Sequence, residues 1–568
     1  MKHWMPTSVL LSVSALAVLA WPIAAQNADR ASDDGHDFQI VEATIPAMNA
    51  ALAAGRVTSE ELVEMYLERI EAYSALLNPY IKVNKHALAE ARKLDKERED
   101  GHLRGPLHGI PIALKDNMLT TELPTSGGAL AFKGFAPPYE ATLTARLRAA
   151  GAIILGKTVL TELANWVSDD MPGNYSAVGS YGYNPYDPRQ DPRAGLDFFG
   201  YPFHDGRPAL GTGGSSSGIA TSANLAAANV GSETSGSILS PSNATMLAGI
   251  KPTTGLISRW GVIPITGDQD TAGPMARDVA SAAIMLGVMA GVDPHDPATL
   301  RCPVIPSYTP FLRSDGLVGA RIGVTREYYD TSTPDQQIVV NEAIMDLQHA
   351  GARVEFVSVP SFADLQAWGI CANRFQGKGA DANCSVVLKY GMKRDFNSFV
   401  TTLGKKAPVH TLTELREFNL SHQGENAIKY GQARLDISDE MNVAADAARY
   451  AADRAKDIKL TATQGIDAAL AAGHYDALLF PGARGADIAA RPGYPSVTVP
   501  YGFVPNTPTP PFPDGFNAKP GPFGITFTAK ACSEATLLRF AYAFEQATKK
   551  RVPPFSAPPI GDGSEKEK

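Results

Sequence analysis

The chain has 568 residues, 44% of them apolar and 19% charged, with a formal net charge of −8. This is an ordinary globular balance, enough for two or three average domains or one large α/β domain with insertions. The acidic excess and the lack of any Lys/Arg-rich run leave no electrostatic footprint for nucleic acid.

The N-terminus begins with a cationic Lys2, followed by an apolar run from Ser8 to Ala20 and small residues at Ala24 and Ala25. That order predicts a signal peptide over residues 1–25, cleaved after Ala25, with an uncleaved anchor as the alternative. The run is short for a membrane span. The expectation is an exported protein, periplasmic or secreted, with no stable membrane insertion after cleavage.

A spacer and first helix follow over residues 26–59. Thr58 and Glu61 form a capping box ahead of an apolar face of Leu62, Tyr66, Ile70 and Tyr73. Ile110 to Leu114 reads as a buried strand ended by the charge of Lys115. "TLTARLRAAGAIILGKT" reads as helix, glycine stop at Gly151, and strand. The same alternation continues through "ARIGVTREYYD", the helix near residues 342–349, "ARVEFVSV" and "YDALLFPGA". It predicts an α/β/α sandwich with helices flanking a mainly parallel or mixed sheet.

Two segments break the rhythm. Residues 184–209, rich in Pro, Gly and Asp, predict a long surface loop. Residues 362–453 read as a polar, mostly helical elaboration laid over the core. The Pro-rich tail, residues 553–568, is expected to be disordered. Of four cysteines, Cys371 and Cys384 are the plausible disulfide in an oxidising compartment, and their setting fits zinc poorly.

"GTGGSSSGIATSANLAAANVGSETSGSIL" carries the chemistry. A flexible linker would have no reason for the small apolar residues that follow its first glycines. A phosphate loop needs a lysine closing the run, and none is there. Gly214 to Gly218 matches the GxSxG elbow of serine esterases, with Ser216 as nucleophile, but no strand precedes it. The fourth reading is amide hydrolysis, which needs a nucleophile, a base, an oxyanion site and an acid for the leaving nitrogen. A desolvated Lys115 at the end of a buried strand can be that base. A serine hydroxyl, both donor and acceptor, can pass its proton.

"GPLHGIPIALKDN", "GAIILGKTVLTELAN", "GGSSSG", "GSETSGSILSPSNATMLAGIKPTTGLISRWGVIPITGDQDTAGPMARDV" and "GYPSVTVPYGF" together resemble the amidase signature family, across roughly residues 60–552. The wording is most similar to peptide amidase-like members. The resemblance implies Lys115 as catalytic base, Ser215 as bridging serine in a cis peptide, and Ser237 as the acylated nucleophile. It places an oxyanion hole at the backbone amides of Thr234, Ser235 and Gly236, and a pocket-lining loop at Thr125, Ser126 and Gly127. It implies no metal and no organic cofactor. The implied substrate is a small-molecule amide or peptide amide.

Three departures stand out. The gap from Ser215 to Ser237 is two residues shorter than usual, which implies a trimmed helix and leaves Ser216 as an alternative bridge. Ser235 replaces a glycine. The loop 184–209 is long and is expected to border the pocket mouth. Rival readings are a glutamyl-tRNA amidotransferase A-type subunit, which an export signal opposes, an elbow-type esterase, and a non-catalytic binding protein on the same scaffold.

Overall fold

The computed structural model describes residues 38–560. The expected signal peptide, most of the spacer and residues 561–568 of the tail lie outside the described residues.

The first helical stretch forms two helices, Ile45–Ala53 and Ser59–Leu77. Thr58 Oγ1 accepts from the Glu61 amide at 3.1 Å, and the Glu61 carboxylate accepts from the Thr58 amide at 2.7 Å. Such a cap contributes about 1 kcal/mol. Leu62, Tyr66 and Ile70 are buried as the periodicity predicts. The expected boundary near residue 60 does not divide the fold, because Ile45, Met48 and Leu52 bury their side chains in the same core as the central sheet.

Eleven strands form that sheet. In chain order they are β1 (Tyr80–Val83), β2 (Pro111–Lys115), β3 (Ile153–Thr158), β4 (Ala228–Glu233), β5 (Ala248–Lys251) and β6 (Thr271–Ala276). Then come β7 (Arg321–Thr325), β8 (Arg353–Val357), β9 (Ala477–Pro481), β10 (Ser496–Val504) and β11 (Gly521–Thr528). The spatial order is β1-β3-β2-β4-β6-β5-β10-β11-β9-β7-β8. β3, β2 and β4 run parallel, as do β9, β7 and β8, and antiparallel pairs join the two groups.

The sheet is thus mixed and flanked by helices, as predicted. Every residue of β2, β3, β4, β6, β9 and β11 is buried, which is what a sheet covered on both faces requires. The edge strands β1 and β8 are only partly buried.

The elaboration over residues 362–453 is mostly helical, its longest helix being Val387–Thr402. Cys371 and Cys384 are bonded as expected, and Cys302 and Cys532, for which the sequence suggested no pairing, form a second disulfide. The loop 184–209 contains no helix or strand beyond two isolated bridges.

Residues 553–560 depart from the expected disorder. Arg69, almost fully buried, donates to the carbonyls of Ala557 (2.8 Å) and Pro558 (2.9 Å), and Ala557 is buried against Ile219, Ala220 and Ala223. Composition suggested a solvated tail, but a buried guanidinium needing acceptors orders it.

Candidate active site

Lys115 ends β2, and Ser232 and Glu233 end β4. The two strands are parallel, with Leu114 opposite Val230, so their C-terminal ends open on the same edge of the sheet. Side-chain alternation turns Lys115 inward, where it has no exposed surface. Its Nζ donates to Ser215 Oγ at 2.9 Å, to Ser232 Oγ at 2.9 Å and to the Ser232 carbonyl at 3.2 Å. Among the described residues, no carboxylate touches the ammonium. Burial lowers its pKa to about 7, although the charges of Asp270 and Glu233 pull the other way.

The two glycine–serine clusters pack on each other. The Ser216 amide donates to the Ser237 carbonyl at 3.2 Å. A Cβ on Gly214 would come within 3.5 Å of Ser237 Cα. Ser216 Oγ donates to the Ser232 carbonyl at 2.9 Å and accepts from the Ser232 amide at 3.1 Å, which fully engages it in the backbone. No strand precedes it, so the esterase elbow is absent. Between the clusters lies one short helical turn, Ile219–Ser222, the trimmed helix implied by the shortened gap. The cis peptide implied at Ser215 is not present; the one cis bond among the described residues is Thr509–Pro510.

Ser237 is 8% exposed. Among the described residues, the amides of Thr234, Ser235, Gly236 and Ser237 donate no hydrogen bond within the protein. Gly236 sits at φ +83°, a conformation glycine adopts without strain. Glu233 holds this loop closed: its Oε2 accepts from the amides of Ile238 (2.7 Å) and Leu239 (2.9 Å). Asp270 and Gln269 grip Thr234 from the far side. Asp270 Oδ1 accepts from the Thr234 hydroxyl at 2.5 Å, and Gln269 Nε2 donates to the Thr234 carbonyl at 3.1 Å. Burial raises the Asp270 pKa to about 7 against the hydrogen bond from Thr234.

A cavity of about 320 Å³ lies beside this cluster, lined by Asn117, Ser232, Thr234 and Asp270; Lys115, Ser215 and Ser237 do not themselves line it. Trp260 and Ile263 form part of its wall, and Asp395 and Phe399 of the helical elaboration close another side. No residue of the loop 184–209 lines it, contrary to expectation; that loop is tied instead to the segment before β11, where Arg189 donates to the Phe516 carbonyl at 2.8 Å and Arg193 to the Pro510 carbonyl at 3.0 Å.

Thr125, Ser126 and Gly127 do not line it either. Thr125 Oγ1 accepts from Lys157 Nζ at 2.7 Å, and Asp116 accepts from both the amide and the hydroxyl of Ser126. Lys157 and Asp116 are themselves paired at 3.1 Å. The Gly127 carbonyl accepts from the Leu163 amide at 2.8 Å, which braces a strained wall: Leu163, Ala164 and Asn165 all have φ between +43° and +74°. Ala164 lines the cavity. The loop 125–127 therefore supports the pocket from behind.

Sequence reasoning gave no role to Ser232, Glu233, Gln269 or Asp270. All four stand in the longest of the family-like motifs, so the signal was present, but only the sheet register shows what each one touches.

The amidase family model matches residues 61–538. An Arabidopsis thaliana protein named as a probable amidase is 32% identical over 91% of this chain and 92% of its own length. The A-type subunit of the glutamyl-tRNA(Gln) amidotransferase of a Cyanothece strain is 31% identical over 89% of this chain and 98% of its own. Among solved structures, the native peptide amidase of Stenotrophomonas maltophilia superposes with a TM-score of 0.76 at 37% identity, covering 91% of this chain and 99% of that one. The chain therefore belongs to the amidase signature family and is a hydrolase of amide C–N bonds.

Proposed function

We propose that the protein is an exported amidase that cleaves linear carboxylic amides, peptide amides among them, through a Lys115–Ser215–Ser237 relay. The observation that carries this reading is the buried, carboxylate-free Lys115 nitrogen 2.9 Å from Ser215 Oγ. Neutral Lys115 takes the proton of Ser215 as Ser215 takes that of Ser237. The Ser237 oxygen bonds to the substrate carbonyl carbon, and the carbonyl π electrons move to oxygen. The free amides of Thr234, Ser235 and Gly236 hold that oxyanion. As the tetrahedral intermediate collapses, the C–N bond breaks and the relay returns the proton to the departing nitrogen. Water then attacks the acyl-enzyme by the reverse route, releasing acid and restoring Ser237.

Substrate choice leans on likeness: a peptide amidase is among the similar structures at 37% identity. Export is supported by the leader-like N-terminus and by two disulfides that use all four cysteines, since such bonds persist in oxidising compartments. Purified protein should hydrolyse members of a panel of amides varied in acyl and amine size, and Lys115→Ala and Ser237→Ala should abolish this. A wild-type protein inert on the whole panel would overturn the reading. N-terminal sequencing of the exported protein should begin at Gln26.

A further inference from the structure

The segment between the two serine clusters is too short to hold itself. One helical turn, Ile219–Ser222, is below the length at which helices are stable alone. Its carbonyls, and those of the turn after it, are satisfied from outside by long side chains. Arg277 donates to Thr221 O (3.1 Å) and Ala226 O (2.8 Å), and Arg551 to Ser222 O (3.1 Å). Arg69 donates to Ala223 O (3.0 Å) and Asn224 O (2.8 Å), and Tyr80 to Leu225 O (2.9 Å). Six consecutive carbonyls, 221 to 226, are thus held by three arginines and a tyrosine.

Two of those arginines belong to a second structure. Arg69 spends its remaining donors on Ala557 O and Pro558 O, and Tyr73 donates to Pro558 O at 2.7 Å. Arg551 is paired with Glu42 at 2.7 Å, and Glu42 exchanges hydrogen bonds with the Asn224 side chain. Ala557, 2% exposed, fills a socket formed by Ile219, Ala220, Ala223 and Leu225.

We propose that residues 551–558 are a strap that positions Ser215 relative to Ser237, doing the work of the helix this chain has trimmed. The inference rests on the reading of those two serines as the reacting pair. The strap touches neither serine; it fixes the only covalent path between them. A displacement of about 1 Å at a reacting group costs about 100-fold in rate, so slack in this path falls on kcat while the cavity walls and KM stay as they are.

The test uses full-length protein. Ala557→Trp overfills the socket, Tyr73→Phe removes one bond to the strap, and Phe555→Ala alters an exposed strap residue that touches none of this network. Ala557→Trp should lower kcat about 10- to 100-fold with KM unchanged, and Tyr73→Phe should lower kcat less but in the same direction. Phe555→Ala should match wild type. Hydrogen exchange over residues 211–227 should rise in the two active variants and not in the control. Wild-type kcat in Ala557→Trp and Tyr73→Phe, with only the melting temperature lowered, would make the strap a purely structural brace and overturn the proposal. If Ala557→Trp does not fold, the kcat of Tyr73→Phe decides by the same criterion. Failure of wild type on every amide strikes the functional reading instead; the exchange result still shows whether the strap governs residues 211–227, and unchanged exchange overturns it.

Discussion

The Ser216 amide donates to the Ser237 carbonyl across 3.2 Å, so two clusters separated in sequence by a turn of helix and a strand are joined backbone to backbone. Ser216 is thereby a fastener: its hydroxyl serves the Ser232 backbone and its amide serves Ser237. The neighbouring Ser215 is left to meet Lys115. Adjacent serines with different partners imply different responses to substitution.

Ser237→Ala should remove all turnover and all labelling by a fluorophosphonate probe. Ser216→Ala should keep measurable activity and labelling, with a loss of stability of about 1–3 kcal/mol from the buried Ser232 amide it leaves unpaired, the Ser232 carbonyl keeping Lys115. Labelling that survives Ser237→Ala and disappears in Ser216→Ala would reverse the assignment.

The pH profile should carry a limb from Lys115. With its pKa lowered to about 7, the base is charged and idle below that pH and free above it. kcat/KM should therefore rise with pH through about 7 and then level. A profile flat from acidic to alkaline pH, with chemistry limiting, would count against the lysine.

Stability follows the same group with a fixed sign. The unfolded chain binds this proton up to the ordinary lysine value of 10.5, and the folded chain only up to about 7. Between those two values the unfolded state holds more protons, so stability rises with pH across that window. Lys115→Met should reduce this slope in chemical denaturation while abolishing activity, leaving the share that buried Lys251, lowered to about 8, contributes above that value. An unchanged slope would show that other groups set it.

Asp270 acts on the lysine from a distance. Where it is ionised, above its own raised pKa of about 7, its negative charge favours the ammonium form and holds the Lys115 pKa up. Asp270→Asn keeps acceptor and donor atoms for Thr234, Ile265 and Thr266 but removes the charge. The acidic limb should move to lower pH, and kcat on the plateau should fall modestly as the grip on Thr234 loosens. A limb shifted upward would contradict the electrostatic account.

The disulfides should stabilise unequally. Cys371–Cys384 spans 13 residues and Cys302–Cys532 spans 230. Chain-entropy scaling puts these at about 3 and about 5 kcal/mol. Melting temperatures of the paired serine variants should fall further for Cys302/Cys532. Equal melting with and without reductant would remove this support for an oxidising compartment.

Much was legible in the chain itself. The capping box at Thr58, the strand ending at Lys115 and the glycine-framed serines are local patterns, readable from residue types at short spacing because backbone geometry imposes them. Even the trimmed helix could be counted from the sequence. Other features were not readable. Composition marked the tail as loose, yet Arg69 captures residues 557 and 558 from far along the chain. The pocket loop at Thr125 faces a buried Lys157–Asp116 pair rather than the cavity. Cys302 found Cys532 only because the fold brings them together.

By itself, then, the sequence determined which residue types could do the chemistry and on which elements they stand. Tertiary structure alone decided that Ser215 rather than Ser216 meets Lys115, that Glu233 and Asp270 hold the loop around Ser237, and that the C-terminal strap closes over the segment between. The physical reason is range: periodicity and turn chemistry act over a few residues, whereas desolvation, charge and the satisfaction of buried carbonyls depend on neighbours hundreds of positions away.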